Sequence, residues 1–178
     1  DIDPGKHDAT YENSQARERT QILMDAAGQM NGFVVGTGDM SELALGWATY
    51  NGDHMSMYSV NASVPKTLAR HLVRRIAENH EQPLVSQLLL DIAETPISPE
   101  LLPPSPDGET TQSTEEIVGP YELHDFFLYY VLRYGFRPRK IFWLARQAFS
   151  SPTGNVVHRY TSEEIVKWMK VFFRRFFS

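Results

Sequence analysis

The chain contains no cysteine. This excludes disulfides, thiolate metal sites and a cysteine nucleophile within these residues, and it suits a reducing compartment, so a cytoplasmic location is expected. Long apolar runs are also missing. The stretch Phe126 to Leu132 falls far short of the roughly 20 residues that cross a bilayer, so no membrane association is expected. Positive charge is not in excess: the formal net charge is -5, which argues against a general nucleic-acid binder. Strand signals are scarce as well. Only Phe33-Val34-Val35, bounded by glycines, reads as a buried strand. A lone strand leaves its backbone groups unpaired, so its sheet partners are expected elsewhere. Together with a start at Asp1 and a stop at Ser178 just after an apolar-rich helix, this makes a fragment of a larger protein the expectation.

What is present suffices for a domain with a core: 178 residues, 42% of them hydrophobic. The chain is organised around Gly32 to Thr67. There the short strand runs into Gly36-Thr37-Gly38-Asp39, a tight turn followed by a helix signal, which is how α/β proteins build ligand sites at the carboxyl ends of strands. Asp39 is an N-cap residue type, and Glu42, three residues on, can complete a capping box. Glu42 therefore has a structural reason to exist before any chemical one. Leu43, Leu45 and Trp47 continue this helix until Asn51-Gly52-Asp53 breaks it, and His54 to Val64 reads as a loop. Pro65 begins the next helix, which places Lys66 in its first turn. A cation is unfavourable against that end of the helix dipole, so a carboxylate or a bound anion is expected nearby.

The remaining elements follow from periodicity. A first helix is expected from Ser14, with Ile22, Leu23, Ala26, Ala27 and Met30 as its apolar face, ended by Gly28 and Asn31-Gly32. Leu68, Leu72, Val73 and Ile76 form the stripe of the helix after Pro65, and Val85, Leu88, Leu89 and Ile92 that of a helix starting at Pro83. The proline-rich stretch 95–120 reads as a long mobile loop, and 121–178 as a helical C-terminal part. In that part, Gly135 and Pro138 separate two helices, and Thr161 with Glu164 makes a capping box for a last one. That last helix interleaves Lys167, Lys170, Arg174 and Arg175 with Trp168, Phe172, Phe173, Phe176 and Phe177. It is expected to bury its aromatic stripe against a second subunit or the missing sheet. The six histidines show no ligand spacing and are expected to be solvated or hydrogen-bonded.

The ordered pieces TYENSQARERTQIL, GTGDMSELALGW, GD, PKTL and QSTEEIVGPYELHDFFLYYVLRYGFRP closely resemble the synthetase domain of glutamine-dependent NAD+ synthetase. The resemblance covers almost the whole chain. It implies an α/β fold, the helix-rich part of a Rossmann-like adenine-nucleotide-hydrolase (ATP pyrophosphatase) fold, with residues 1–178 as a partial synthetase domain. It also implies a ligase forming a C–N bond: ATP adenylates the nicotinate carboxylate of deamido-NAD, and ammonia supplied from glutamine by a separate glutaminase domain displaces AMP. Magnesium is implied with ATP, and a homo-oligomer is expected.

Carried over by position, the resemblance puts Thr37, Lys66 and Ser98 against ATP. Asn13, Glu42, Trp47, Ala48, Thr49 and Tyr50 fall against deamido-NAD, with Glu42 also near the magnesium ion. The residue types suit that chemistry, because attack of a carboxylate on a phosphate concentrates negative charge that a lysine and a metal can stabilise. Aromatic rings such as Trp47 and Tyr50 can pack on a nicotinate or adenine ring. Two departures stand out. Met57 occupies the second acidic position of the GDGGxD segment found in ammonia-dependent relatives, and no SGGxDS pyrophosphate loop occurs in these residues. The 178 residues alone are therefore expected to be inactive, with a non-catalytic nucleotide-binding or assembly module as the alternative reading. From residue types alone, Thr37 and Ser98 are ordinary turn residues, Trp47 a core residue and Lys66 a solvated lysine.

Overall fold

The computed structural model describes residues 8–95, 114–150 and 160–178, which fall into two units, Asp1–Thr114 and Glu115–Ser178. The long loop expected over 95–120 lies mostly outside the described residues. Its described end, Thr114–Val118, is a short helix (α5) rather than loop.

In the first unit, α1 spans Ala9–Gln29 and begins earlier than Ser14 because the Asp8 side chain caps it, accepting from the backbone N–H groups of Thr10 (2.9 Å) and Tyr11 (3.2 Å). Its end is as expected: Asn31 takes a left-handed conformation (φ 52°), and the Gly32 N–H returns to the Ala27 carbonyl at 2.8 Å. Strand β1 is Val35–Gly36, two residues rather than the run from Phe33. It pairs in parallel with β2, Tyr58–Ser59, inside the stretch expected to be loop. So one sheet partner lies within this chain. Parallel strands need a long crossover, and the chain from Thr37 to Met57 supplies it, carrying the short helix α2 (Met40–Leu45). Gly36 is required where the strands meet, because a Cβ there would stand 2.7 Å from the Ser56 Cβ. The strand is not buried: Phe33 and Val35 are both largely exposed.

Helix α2 ends at Gly46, left-handed at φ 59°, well before the Asn51-Gly52-Asp53 break that composition suggests. Helices α3 (Lys66–Glu78) and α4 (Pro83–Glu94) start at their proline signals, with Pro65 as the cap of the first. They pack on each other, with the small residues Ala77 and Ala93 buried and Arg70 Nε donating to the Ala93 carbonyl at 2.7 Å. The expected stripes do not become core. Leu68, Leu72, Ile76, Leu88 and Ile92 are exposed, as are Ile22, Leu23 and Met30 on α1. Periodicity marks these faces as apolar, and the described residues do not cover them.

The second unit packs α6 (Tyr121–Tyr134), α7 (Pro138–Phe149) and α8 (Ser162–Phe176) on one another. Its core is Leu123, Phe127 and Leu128 from α6, Ile141 and Ala145 from α7, and Ile165, Met169 and Phe172 from α8. Of its expected aromatic stripe the last helix buries Phe172 here, whereas Trp168, Phe173 and Phe176 are half-buried and Phe177 is largely exposed. Gly135 (φ 60°) ends α6, and the Thr161–Glu164 capping box begins α8, both where expected.

His124 sits in this core, 1% exposed, with Nε2 2.7 Å from the Val118 carbonyl oxygen and the Phe127, Phe172 and Trp168 rings around it. Burial pushes its imidazole down to about 4; the Val118 bond opposes this, and the Arg175 charge adds to it. A histidine lowered in the folded state binds its proton more readily once unfolded. Its contribution to stability is therefore whole above the unfolded value near 6.5 and is lost as pH falls toward 4. The slope over that window reaches about 1.4 kcal/mol per pH unit. Urea unfolding midpoints of wild type and His124→Gln at pH 7.5, 6 and 5 should diverge, the wild type losing more on acidification. Parallel lines would contradict the burial of a neutral ring.

Candidate active site

Two side-chain clusters in the first unit collect most of the expected site residues. The first lies where α2 and α3 begin. Asp39 caps α2: its Oδ1 accepts from the Glu42 N–H at 2.9 Å, while Glu42 Oε2 accepts from the Asp39 N–H at 3.1 Å. Local sequence dictates this much. The partner from afar is Lys66, whose ammonium reaches Asp39 Oδ2 at 2.7 Å and Glu42 Oε1 at 2.8 Å. The Lys66 backbone N–H, one of the unsatisfied donors at the start of α3, donates to the buried Ser41 hydroxyl at 2.9 Å. The carboxylate expected beside Lys66 is therefore present twice over. Burial alone would push the Lys66 ammonium down, but the hydrogen bonds and charges of Asp39 and Glu42 more than reverse this and raise it above 10.5. Asp39 is 5% exposed, so it braces from behind, whereas Lys66 and Glu42 keep partly accessible side chains.

The second cluster joins α1 to the segment after α2. Thr49 Oγ1 donates to Asn13 Oδ1 at 2.8 Å, which brings together two residues 36 positions apart. The Thr49 N–H donates to Asp53 Oδ1 at 2.7 Å, and His54 Nδ1 lies 2.8 Å from the Thr49 carbonyl oxygen. Arg17 Nε donates to the Tyr50 carbonyl at 3.0 Å, and the exposed Tyr50 ring stacks on His54 with centroids 6.3 Å apart. Gly52 fits tightly here, since a Cβ would stand 3.2 Å from the Ala16 Cβ. Asn13, Thr49 and Tyr50 are thus gathered in one cluster. Arg17, Asp53 and His54 are the bracing residues that sequence reasoning missed or held loosely, and only Asp53, four residues from Thr49, carries a local signal.

Trp47 is half-buried, and its backbone N–H donates to the Glu42 carbonyl at 2.9 Å, closing the end of α2. Ala48 is exposed, and Thr37 is exposed in the turn between β1 and α2. Met57 is largely exposed. Ser98 lies outside the described residues.

Glu42 is also the residue at which magnesium is expected. Each Glu42 oxygen already accepts from a donor, one of them the Lys66 cation, and both Asp39 oxygens are engaged as well. Each of these oxygens accepts one donor and keeps a second lone pair, so the partly accessible Glu42 can offer an oxygen to a metal ion while it anchors Lys66. Chemically, the arrangement holds the Lys66 ammonium rigidly beside the turn that follows β1.

The family model described as NAD synthase matches residues 1–159. A glutamine-dependent NAD(+) synthetase from Mycobacterium leprae is 46% identical over 97% of the chain, and one from Mycobacterium tuberculosis (strain ATCC 25618 / H37Rv) matches to the same extent. One from Acinetobacter baylyi is 32% identical over 68% of the chain. The chain spans 27% of the length of the mycobacterial relatives. Among solved structures, a glutamine-dependent NAD(+) synthetase from Cytophaga hutchinsonii aligns with a TM-score of 0.61 at 22% identity, covering 94% of this chain and 23% of that one. An NMN synthetase from Francisella tularensis aligns at 0.58 and 19% identity, covering 92% and 50%. These likenesses place the chain's fold, α/β and helix-rich, with that of the NAD synthetases.

Proposed function

The chain belongs to the NAD synthase family, and we propose that it forms part of an ATP-dependent ligase that amidates deamido-NAD to NAD with ammonia drawn from glutamine. The observation that carries this reading is the fixed Lys66 ammonium at the end of β1, in a chain 46% identical over 97% of its length to glutamine-dependent NAD(+) synthetases.

In the first step a nicotinate carboxylate oxygen attacks the α-phosphorus of ATP, and the bond to pyrophosphate breaks. In the second, ammonia adds to the resulting acyl adenylate, loses a proton, and expels AMP. Lys66 faces charge that grows on the phosphoryl oxygens and lowers the barrier electrostatically. Thr37, in the turn before α2, offers a hydroxyl to the nucleotide, and Ser98 is proposed to offer another. The second cluster receives deamido-NAD: Asn13 and Thr49 present amide and hydroxyl groups, Trp47 and Tyr50 present rings, and Ala48 leaves room beside them. Glu42 contacts the dinucleotide while anchoring Lys66. Magnesium accompanies ATP in this reading, and Glu42 would help to hold it through a remaining carboxylate lone pair. Assembly as a homo-oligomer and a cytoplasmic location belong to the same proposal; among the described residues, no helix is long and apolar enough to cross a membrane.

The complete protein, given deamido-NAD, ATP and ammonia, should release NAD, AMP and pyrophosphate in equal amounts. Release of ADP and phosphate would end the assignment. A second reading, a nucleotide-binding or assembly module, applies to these residues in isolation because they span 27% of the relatives' length.

A further inference from the structure

We infer that Asp39 is a positioning residue: from its buried place at the N-terminus of α2 it fixes the Lys66 ammonium where ATP phosphate arrives, without touching the nucleotide itself. The inference rests on the ATP-site reading of Lys66. Three observations support it. Asp39 is 5% exposed, so a ligand on the surface meets Lys66 and not Asp39. Its two oxygens divide the work: Oδ1 takes the Glu42 N–H at 2.9 Å, and Oδ2 takes the Lys66 ammonium at 2.7 Å. The lysine is held at its other end too, its backbone N–H bound to the Ser41 hydroxyl two residues from Asp39. A lysine side chain is flexible and carries substantial rotamer freedom, so an anchored one presents its charge at one point rather than over a shell. An ammonium has three N–H donors and can meet a phosphate oxygen without releasing both carboxylates.

A competing effect has the opposite sign. Two carboxylates next to one lysine leave negative charge near the site, and removing one could strengthen ATP binding. The close Asp39–Lys66 pair largely cancels Asp39's own field at a distance. The ordering of Lys66 should therefore prevail.

The substitution Asp39→Asn separates the roles, because asparagine caps a helix as well as aspartate does yet lacks the charge that holds Lys66. In the complete protein, Asp39→Asn should weaken the Kd for ATP about tenfold, leave the Kd for deamido-NAD within about twofold, and keep the folded state, with a thermal midpoint lowered no further than in Lys66→Met. In a Lys66→Met background the same change should have little further effect on ATP binding, since Asp39 acts only through Lys66. An unchanged or tighter Kd for ATP in Asp39→Asn, beside a weakened one in Lys66→Met, would overturn the inference alone. So would equal losses for both ligands, or an undiminished loss in the Lys66→Met background, either of which marks a merely structural residue. Wild-type ATP binding by Lys66→Met would instead overturn the ATP-site reading and this inference with it.

Discussion

Lys66→Met in the complete protein should lower kcat/KM for ATP by about a hundredfold or more, with the folded state retained. Methionine keeps the length and apolar stem of the side chain but removes the cation that Asp39 and Glu42 hold at 2.7 and 2.8 Å. Removing one well-placed stabiliser of transition-state charge costs about 3–4 kcal/mol, which is two to three decades in rate. The variant also leaves two carboxylates side by side without their cation, so some stability at the α2–α3 junction should be lost. Circular dichroism and the thermal midpoint separate that loss from the catalytic one. Arginine should rescue poorly: it keeps the charge, but its planar fork does not reproduce the point contact of an ammonium. Turnover within threefold of wild type would remove Lys66 from the site.

Gly119→Ala should be the most damaging single methyl in the second unit, costing about 3 kcal/mol. Gly119 lies between α5 and α6 at φ 101°, a conformation that L residues rarely adopt. A Cβ there would also stand 2.7 Å from Trp168 Cδ2 and 2.8 Å from His124 Nε2, both in the packed interior. Backbone strain of roughly 1–3 kcal/mol and overpacking of similar size act together. Gly135→Ala provides the comparison, because that glycine is left-handed at φ 60° but has nothing within 4 Å of an added Cβ. It should show the strain alone, about 1 kcal/mol. Equal shifts of the urea midpoint for the two variants would mean that the Trp168 and His124 contacts do not crowd Gly119.

The parts of the fold legible in the sequence are those decided within a few residues. Asp39 with Glu42, Thr161 with Glu164, Gly135, and the prolines at 65, 83 and 138 mark helix ends through local hydrogen bonding and fixed φ, so they stand where the residue types put them. The cation at the start of α3 even announced its carboxylates, since dipole and charge conflict there. It could not say which carboxylates, because the Lys66–Asp39 contact joins separate elements. For the same reason β2 was unreadable: Tyr58-Ser59 has no strand pattern of its own and is a strand only because the crossover returns it to Val35-Gly36. The start of α1 is set by Asp8, a capping residue type, whereas the strong apolar periodicity begins only downstream. The apolar faces of α3 and α4 show the limit of periodicity, which tells a helix which side is apolar and not what covers it. In the candidate site, Asn13 and Thr49 emerged from family resemblance alone, since a hydrogen bond across 36 residues leaves no local trace.

The central claim is that this chain supplies a lysine-centred wall of a site where ATP activates a carboxylate for amide formation. The most direct measurement follows oxygen. Deamido-NAD carrying ¹⁸O in its nicotinate carboxylate is turned over with ATP and ammonia by the complete protein, and the AMP is analysed by mass spectrometry. Adenylation transfers one labelled oxygen to phosphorus, so each AMP should carry one ¹⁸O and each NAD amide should retain one. Unlabelled AMP, or label in inorganic phosphate accompanied by ADP, would contradict the account.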